Sequence, residues 1–490
     1  MEAAGLPAFH CGRPAAFLPG ACLQVYGRAG MMQAMPFPRP FEPAAQAAAR
    51  LLRRLVDVHP GETRALLAGF AYFFCLLSSY YLLRPLRDAL GLVGGAGQLQ
   101  WLFTATFIVM LLLVPVFGLL AQRWPPRRFI ALIYRFFAGN ILCFAALFAA
   151  GLHELAVSRV FFVWISVYNL FVVSIFWSVL ADHFSSAQGR RLFGFIAAGG
   201  TAGALAGPAL AALLAGSVGV AWLAALAALL LELALQCCRR LQRAAPGGEH
   251  ATRRDHGLGG GVLSGVQLVL RDRYLLGIVV YLLLHSFAST FLYFEQGRIV
   301  AAGLADTAAR TRLFAGADFA VSCLSIVLQL GVTGRLLRRF GVAAGLALLP
   351  LAGIAAFGAL AAWPTLMMLV AAQSARRAVD YALSRPAREV LFTVISREAK
   401  YKAKSVIETV VYRGGDAVSG WLAALAASAG IGPGGMALLW LAPTAGWLAL
   451  SAWLARRQER LAASGVQSAS LSPPAGTRPD ARSADDIRPA

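Results

Sequence analysis

The residues best equipped for chemistry sit where charge is least expected. "YYLLRPLRDALGL" closes a run of about twenty mostly apolar residues, yet it carries Arg84, Arg87 and Asp88. A second apolar run, "AAQSARRAVDYALSRPAREVLF", holds Arg376, Arg377, Asp380, Arg385, Arg388 and Glu389, and "IETVVYRGGDAVSG" adds Glu408, Arg413 and Asp416. A charge removed from water is costly unless it meets a partner or keeps access to a wet cavity. Residues four apart are neighbours on a helix, so Arg84 can pair with Asp88, Arg376 with Asp380 and Arg385 with Glu389. Guanidinium forks match phosphate and carboxylate oxygens, and paired acids can hold the forks until an anion displaces them. The same pairs could equally be structural gates.

The elements that carry these charges must themselves be apolar. Of 490 residues, 59% are hydrophobic and 14% charged, with a mean hydropathy of +0.66, far too apolar for a soluble globular protein. Runs of about twenty apolar residues, each enough to cross ~30 Å of hydrocarbon as a helix, recur between 65 and 455. They do not alternate as barrel strands would. Spans are expected near 65–83, 99–121, 129–151, 156–181, 193–215, 218–236, 274–295, 313–334, 342–361, 364–392, 405–427 and 433–455, two sets of six. The seven cysteines are scattered, with neither a disulfide framework nor a zinc spacing. Neither a catalytic group nor a metal or cofactor site is expected, and no GxxxxGK[ST] loop is present to power an ATP-driven pump.

The net charge of +21 would suit nucleic acid, but in a membrane chain the location of Lys and Arg decides, and no nucleic-acid partner is expected. Alternate loops collect Arg123, Arg127 and Arg128; Arg190 and Arg191; Arg335, Arg338 and Arg339; and Arg397, Lys400, Lys402 and Lys404. The intervening loops, such as "GSVGV" and "AGIGPG", are nearly bare. That asymmetry places both termini in the cytoplasm, with the lipid bilayer of a bacterial inner membrane as the setting. The expected parts are an N-terminal extension (1–64) with a surface amphipathic helix at 44–58, a first bundle (65–236), a basic linker (237–273), a second bundle (274–455) and a disordered tail (456–490).

The halves echo one another at an offset of roughly 210 residues: "GLLAQRWPPRRF" parallels "GVTGRLLRRFG", and "FSSAQGRRLFGFI" parallels "ISREAKYKAKSVI". Parallel six-helix repeats imply an all-α integral membrane fold of 12 transmembrane helices in two six-helix halves, major facilitator-like, with a site at the midplane.

Within the membrane a charge costs at least ~2.5–3.5 kcal/mol, so it turns toward a partner or a wet lumen. Arg84, Arg87 and Asp88 could instead snorkel to the outer interface, and the tenth span could end early at Arg385. Pro386 breaks its backbone ladder. Arg135 and Asn140 in the third span, Asp318 in the eighth, and a stripe of Tyr281, His285, Ser289 and Tyr293 in the seventh add polarity. His285 is assigned no chemistry. Gly199, Gly203 and Gly207, four apart, form a face for close helix packing. The expected lumen holds more arginine than acid, which points to a small anionic substrate. Arg84, Arg87, Arg385, Arg388 and Arg413 are the expected substrate contacts, and Asp88, Asp380, Glu389, Glu408 and Asp416 the groups that orient or gate them.

Three segments resemble the ATP/ADP translocase family of nucleotide transporters. They are "LLRPLRDAL", "FWSVLADHFSSAQGRRLFGFIAAGG" and "REVLFTVISREAKYKAKSVIETVVYRGGDAVSG". The resemblance implies a twelve-helix transporter exchanging nucleotides, with family charge positions at Arg87 and Glu389. Asp416 stands where that family has a basic residue, and Pro85 where it has an acidic one. The expected function is secondary-active transport of an anion by alternating access, by a monomer. A non-transporting sensor or assembly protein, and a proton-coupled efflux pump, are the alternatives.

Overall fold

A computed structural model of the chain describes residues 58–59, 61–151, 155–244, 262–395, 399, 403–404 and 406–470. The expected surface helix at 44–58, all but its last residue, the glycine-rich part of the linker, and Arg397, Lys400 and Lys402 lie outside the described residues, as does the side chain of Glu408.

Twelve helical spans follow one another. The first half comprises α1 (Thr63–Leu90), α2 (Leu99–Arg123), α3 (Pro126–Ala149), α4 (Leu155–His183), α5 (Ser186–Leu214) and α6 (Gly219–Ala244). The second comprises α7 (Arg273–Gly303), α8 (307–340), α9 (342–362), α10 (366–391), α11 (407–428) and α12 (Pro433–Ser470). Nine helices of the described residues are long and apolar enough to cross a membrane. One of them, the 56-residue Thr307–Ala362, contains both α8 and α9, which part at Gly341, where φ is 71°. The spans that fail the apolar criterion, α10 and α11, are those that carry the charge clusters. Leu213, Trp222, Leu330 and Met367 are largely exposed on the outer surface of the bundle, as befits side chains that meet lipid.

Two boundaries differ from expectation. The linker contains a short helix, Val262–Arg271, after which Asp272 accepts from Tyr274 N at 2.8 Å and caps α7. The last helix continues past 455 to Ser470, so 456–470 is helical rather than part of an irregular tail.

The expected glycine face is realised. α5 lies directly on α1, and a Cβ on Gly203 would sit 2.5 Å from Phe74 O, one on Gly207 2.8 Å from Tyr81 Cβ. Only hydrogen fits there. α2 passes to α3 through Trp124 and Pro125, and α8 to α9 through Gly341 alone.

The halves differ in backbone regularity. Among the described residues π-helical turns occur at Gln329–Thr333, Asp380–Ser384 and Ile407–Val411, all in the second half. Each inserts one extra residue into a helical turn, a feature found often at functional sites.

The halves meet along α1 and α5 against α8, and α2 against α11. At the end away from the basic loops the contact is tight. Trp101 and Trp421 stand edge to face at 4.7 Å, and Trp421 Nε1 donates to Thr104 Oγ1 at 3.0 Å. Ala89, Leu92, Leu99, Leu102 and Phe162 of the first half form one buried cluster with Phe294, Val300 and Phe314 of the second. Arg310 reaches across to Leu92 O at 3.2 Å.

Candidate functional site

Inward of this seal, seven helices (α1, α2, α4, α7, α8, α10 and α11) enclose a cavity of about 760 Å³ between the halves. Its wall runs from Asp88, Phe103 and Tyr293 beside the seal to Phe73, Trp177 and Arg385 toward the basic-loop end. Six arginines and four aspartates line it, a surplus of positive charge in a space large enough for a small organic molecule.

Arg84 finds its partner across the interface and not in Asp88 of its own helix. Arg84 Nε lies 3.6 Å from Asp318 of α8, and Asp318 also takes Arg377 of α10 at 2.7 Å. One carboxylate therefore joins an arginine from each half. Asp88 is held by its neighbour Arg87 at 2.6 Å and accepts from Tyr293 of α7 at 2.9 Å. Arg87 rests over the Phe162 ring at 5.0 Å.

In α10 the π turn decides which charges meet. Asp380 opens that turn, and Arg385, five residues on, reaches it at 3.3 Å. Arg388 reaches its other oxygen at 3.4 Å and donates to Tyr412 at 2.8 Å. Arg385 is 58% exposed and stacks on Tyr381 at 4.2 Å, so it faces the open lumen. His285 Nε2 lies 3.8 Å from Asp380. In α11, Asp416 accepts from Ser286 and, at 3.0 Å, from Thr290, with Arg413 at 3.8 Å. Asp416 is thus held by hydroxyls of α7.

Of the expected site residues, Arg84, Arg87, Asp88, Asp380, Arg385, Arg413 and Asp416 line the cavity, and Arg388 is buried just behind Asp380. Glu389 does not: it is 61% exposed and bonds Lys404 at 2.6 Å. The π turn, with its extra residue, brings Arg385 onto the face of Asp380 five residues earlier, so Arg385 pairs with Asp380 and Glu389 with Lys404 in place of the expected Arg385–Glu389 pair. Arg135 is also turned away from the lumen, 57% exposed and 3.5 Å from Glu232, and Asn140 bonds its own helix at Phe136 O. Asp318, Arg376 and Arg377, expected as lumen charges but not as substrate contacts or gating groups, also line the cavity. Ser289 stood in the polar stripe of the seventh span without a role, and Tyr81, Tyr381 and Gln373 were not singled out, although the tyrosines flanking the charges in "SSYYLLRP" and "VDYALSR" offered a signal.

The same architecture recurs in solved transporters at very low sequence identity. A bacterial homologue of the iron transporter ferroportin, in an inward-facing state, is 10% identical over 81% of this chain and 98% of its own, with a TM-score of 0.58. A POT family transporter in complex with 5-aminolevulinic acid is 12% identical over 81% of this chain and 96% of its own, with a TM-score of 0.56. The nucleoside transporter NupG is 13% identical over 82% and 99%, with a TM-score of 0.54. No curated protein matches the chain. The cargoes of those three differ widely, so what they share with this chain is the fold. The profile of the Major Facilitator Superfamily matches residues 65–375, well over half of the sequence, and the chain belongs to that superfamily.

Proposed function

We propose that this protein is a secondary-active transporter that moves a small anionic solute by alternating access, without covalent chemistry and without a cofactor. The observation that carries this reading is the arginine-rich cavity, lined by both halves and, among the described residues, sealed at the end away from the basic loops. Rocking the halves about such a site exposes it alternately to the two sides. Basic loops cluster at the open end, which the positive-inside asymmetry assigns to the cytoplasm of a bacterial inner membrane, and the present state is then inward-facing. The guanidinium forks favour phosphate or carboxylate. Together with the three segments that resemble ATP/ADP translocases, they make nucleotide exchange the first activity to test.

The test is uptake of radiolabelled nucleotides, phosphates and carboxylates into proteoliposomes. Uptake of at least one anion is expected, and Arg87→Gln should abolish it while leaving expression intact. Unchanged uptake would remove Arg87 from the site, and uptake of none of these anions would overturn the reading.

A further inference from the structure

We infer that Arg376 is the receptor for an oxyanion group of the transported solute, aided by Ser289 and Gln373, and that this solute carries a hydrogen-bond donor beside its carboxylate or phosphoryl group. The inference deepens the transporter reading and rests on it.

The argument starts from which cavity charges are already matched. Five of the six lining arginines have a carboxylate within 4 Å: Arg84 and Arg377 share Asp318, Arg87 has Asp88, Arg385 has Asp380 and Arg413 has Asp416. Arg376 is the exception among the described residues. The residue is 1% exposed, its Nη2 donates to Ser289 Oγ at 2.8 Å, and its buried Nε and Nη1 have no hydrogen-bond partner. Of the two positive charges in excess along the lining, one is spread over Arg84 and Arg377, which share Asp318, and the other sits on Arg376.

A buried guanidinium without a counter-charge destabilises the protein that holds it, and buried polar groups left unsatisfied are rare enough to need an explanation. A substrate anion supplies one. Nη2 has two hydrogens and Ser289 takes one, so a complete two-donor edge of the fork remains for a planar oxyanion. Ser289 already accepts from Arg376, which leaves its own hydroxyl hydrogen free to donate to the same anion. Gln373 lies three residues earlier on α10, hence on the same helical face. It too is buried and lines the cavity, and its Oε1 has no partner. An unmatched acceptor beside an unmatched donor edge fits a hydroxy- or amino-substituted carboxylate or a phosphate ester with a free hydroxyl, and fits a bare anion less well.

The experiment uses the detergent-purified full chain and four probes: inorganic phosphate, glycerol 3-phosphate, acetate and lactate. The thermal midpoint of the native protein should rise with glycerol 3-phosphate or lactate more than with the unsubstituted partner of each, and which pair acts separates phosphoryl from carboxylate recognition. Arg376→Gln should weaken the apparent affinity by about tenfold to a hundredfold, the loss expected for a charge-assisted pair, and should raise the midpoint of the probe-free protein, because an unmatched buried charge has gone. Arg376→Lys, which keeps charge but loses the fork, should fall between. Gln373→Leu should erase the preference for the hydroxylated probe, and Arg123→Gln in a basic loop should change nothing. The inference is overturned if Arg376→Gln binds as the native protein does, if it lowers the probe-free midpoint as a structural residue would, or if none of the four probes stabilises the native protein. Proteoliposome uptake separates the two levels: anion entry at the native rate in Arg376→Gln sinks this inference alone, whereas no anion entry with either protein sinks the transporter reading.

Discussion

The two halves share a six-helix plan and differ in how regular their helices are. In the first half α1 lies against α5 at glycine distance, and buried hydroxyls lock it sideways. Ser79 donates to Ala227 O at 2.7 Å and bonds Tyr168 at 2.8 Å, while Tyr72 bonds Tyr134. The second half holds all three π turns and most of the cavity charge: Asp318, Arg376, Arg377, Asp380, Arg385, Arg413 and Asp416, against Arg84, Arg87 and Asp88 from the first. One half is a stiff wall, and the other carries adjustable chemistry. Close packing leaves no room for a side chain to change partners, whereas single π turns occur often at functional sites.

The comparison can be broken most severely at the one carboxylate shared by both halves. Asp318→Asn leaves Arg84 and Arg377 buried without a counter-charge and should cost about 3–5 kcal/mol in unfolding free energy. Adding Arg84→Gln should restore part of that loss, since the two changes act on one interaction. Native stability in the single variant would mean that the halves are not joined there. Next comes the stiff wall itself. Gly203→Val drives a side chain into the α1 backbone and should cost about 1–3 kcal/mol or more, read as a lower thermal midpoint. Gly358 in α9 has open space around its would-be Cβ, so Gly358→Ala should stay within about 0.5 kcal/mol of native. Equal midpoints for the two variants would erase the contrast.

On the adjustable side, deleting Ala382 should return the Asp380–Ser384 turn to ordinary α-helical spacing. Arg385 and Arg388 then stand four and seven residues from Asp380 and keep its face, but the turn loses its extra residue, and anion uptake should fall about tenfold or more. Undiminished uptake would show that the extra residue has no part in the site. The smallest effect belongs to Glu62, just outside α1. Burial alone would raise its carboxyl, but donors from Arg191 at 3.0 Å, Gln188 at 2.9 Å and the His59 N–H at 3.0 Å lower it from 4.5 to about 2. A lowered folded-state value means that this stabilisation is complete above pH 4.5 and disappears as pH falls through about 2. Its size is about 1 kcal/mol or less. An acid unfolding profile unchanged in Glu62→Gln would remove the latch between α1 and α5.

What could be read beforehand was what local pattern encodes. Apolar run length gave the spans, four-residue glycine spacing gave the α5 face, and charge in an apolar run gave the lumen, because each depends only on near neighbours along the chain. The π turns left no such trace, since one extra residue in a helix is stabilised by contacts from other helices. Arg385, five residues beyond Asp380, is therefore matched to the wrong acid when only four-residue spacing is read, while Glu389 meets Lys404 from beyond its own helix. Spacing also cannot reveal that Arg84 finds Asp318, because that partner comes from the opposite half. Arg376 stood in plain view as a charge, but its lack of a partner is a property of three-dimensional neighbours alone.

The turn at Gly341 has a mechanical consequence. A single residue spans at most about 3.6 Å, so the ends of α8 and α9 that it joins have almost no slack. α8 is the helix that grips α1 and α5 of the other half, while α9 packs along α12 and against α10. Any displacement imposed on α8 across the interface is thereby towed into α9 and on to the far side of its own bundle, with no slack loop to absorb it.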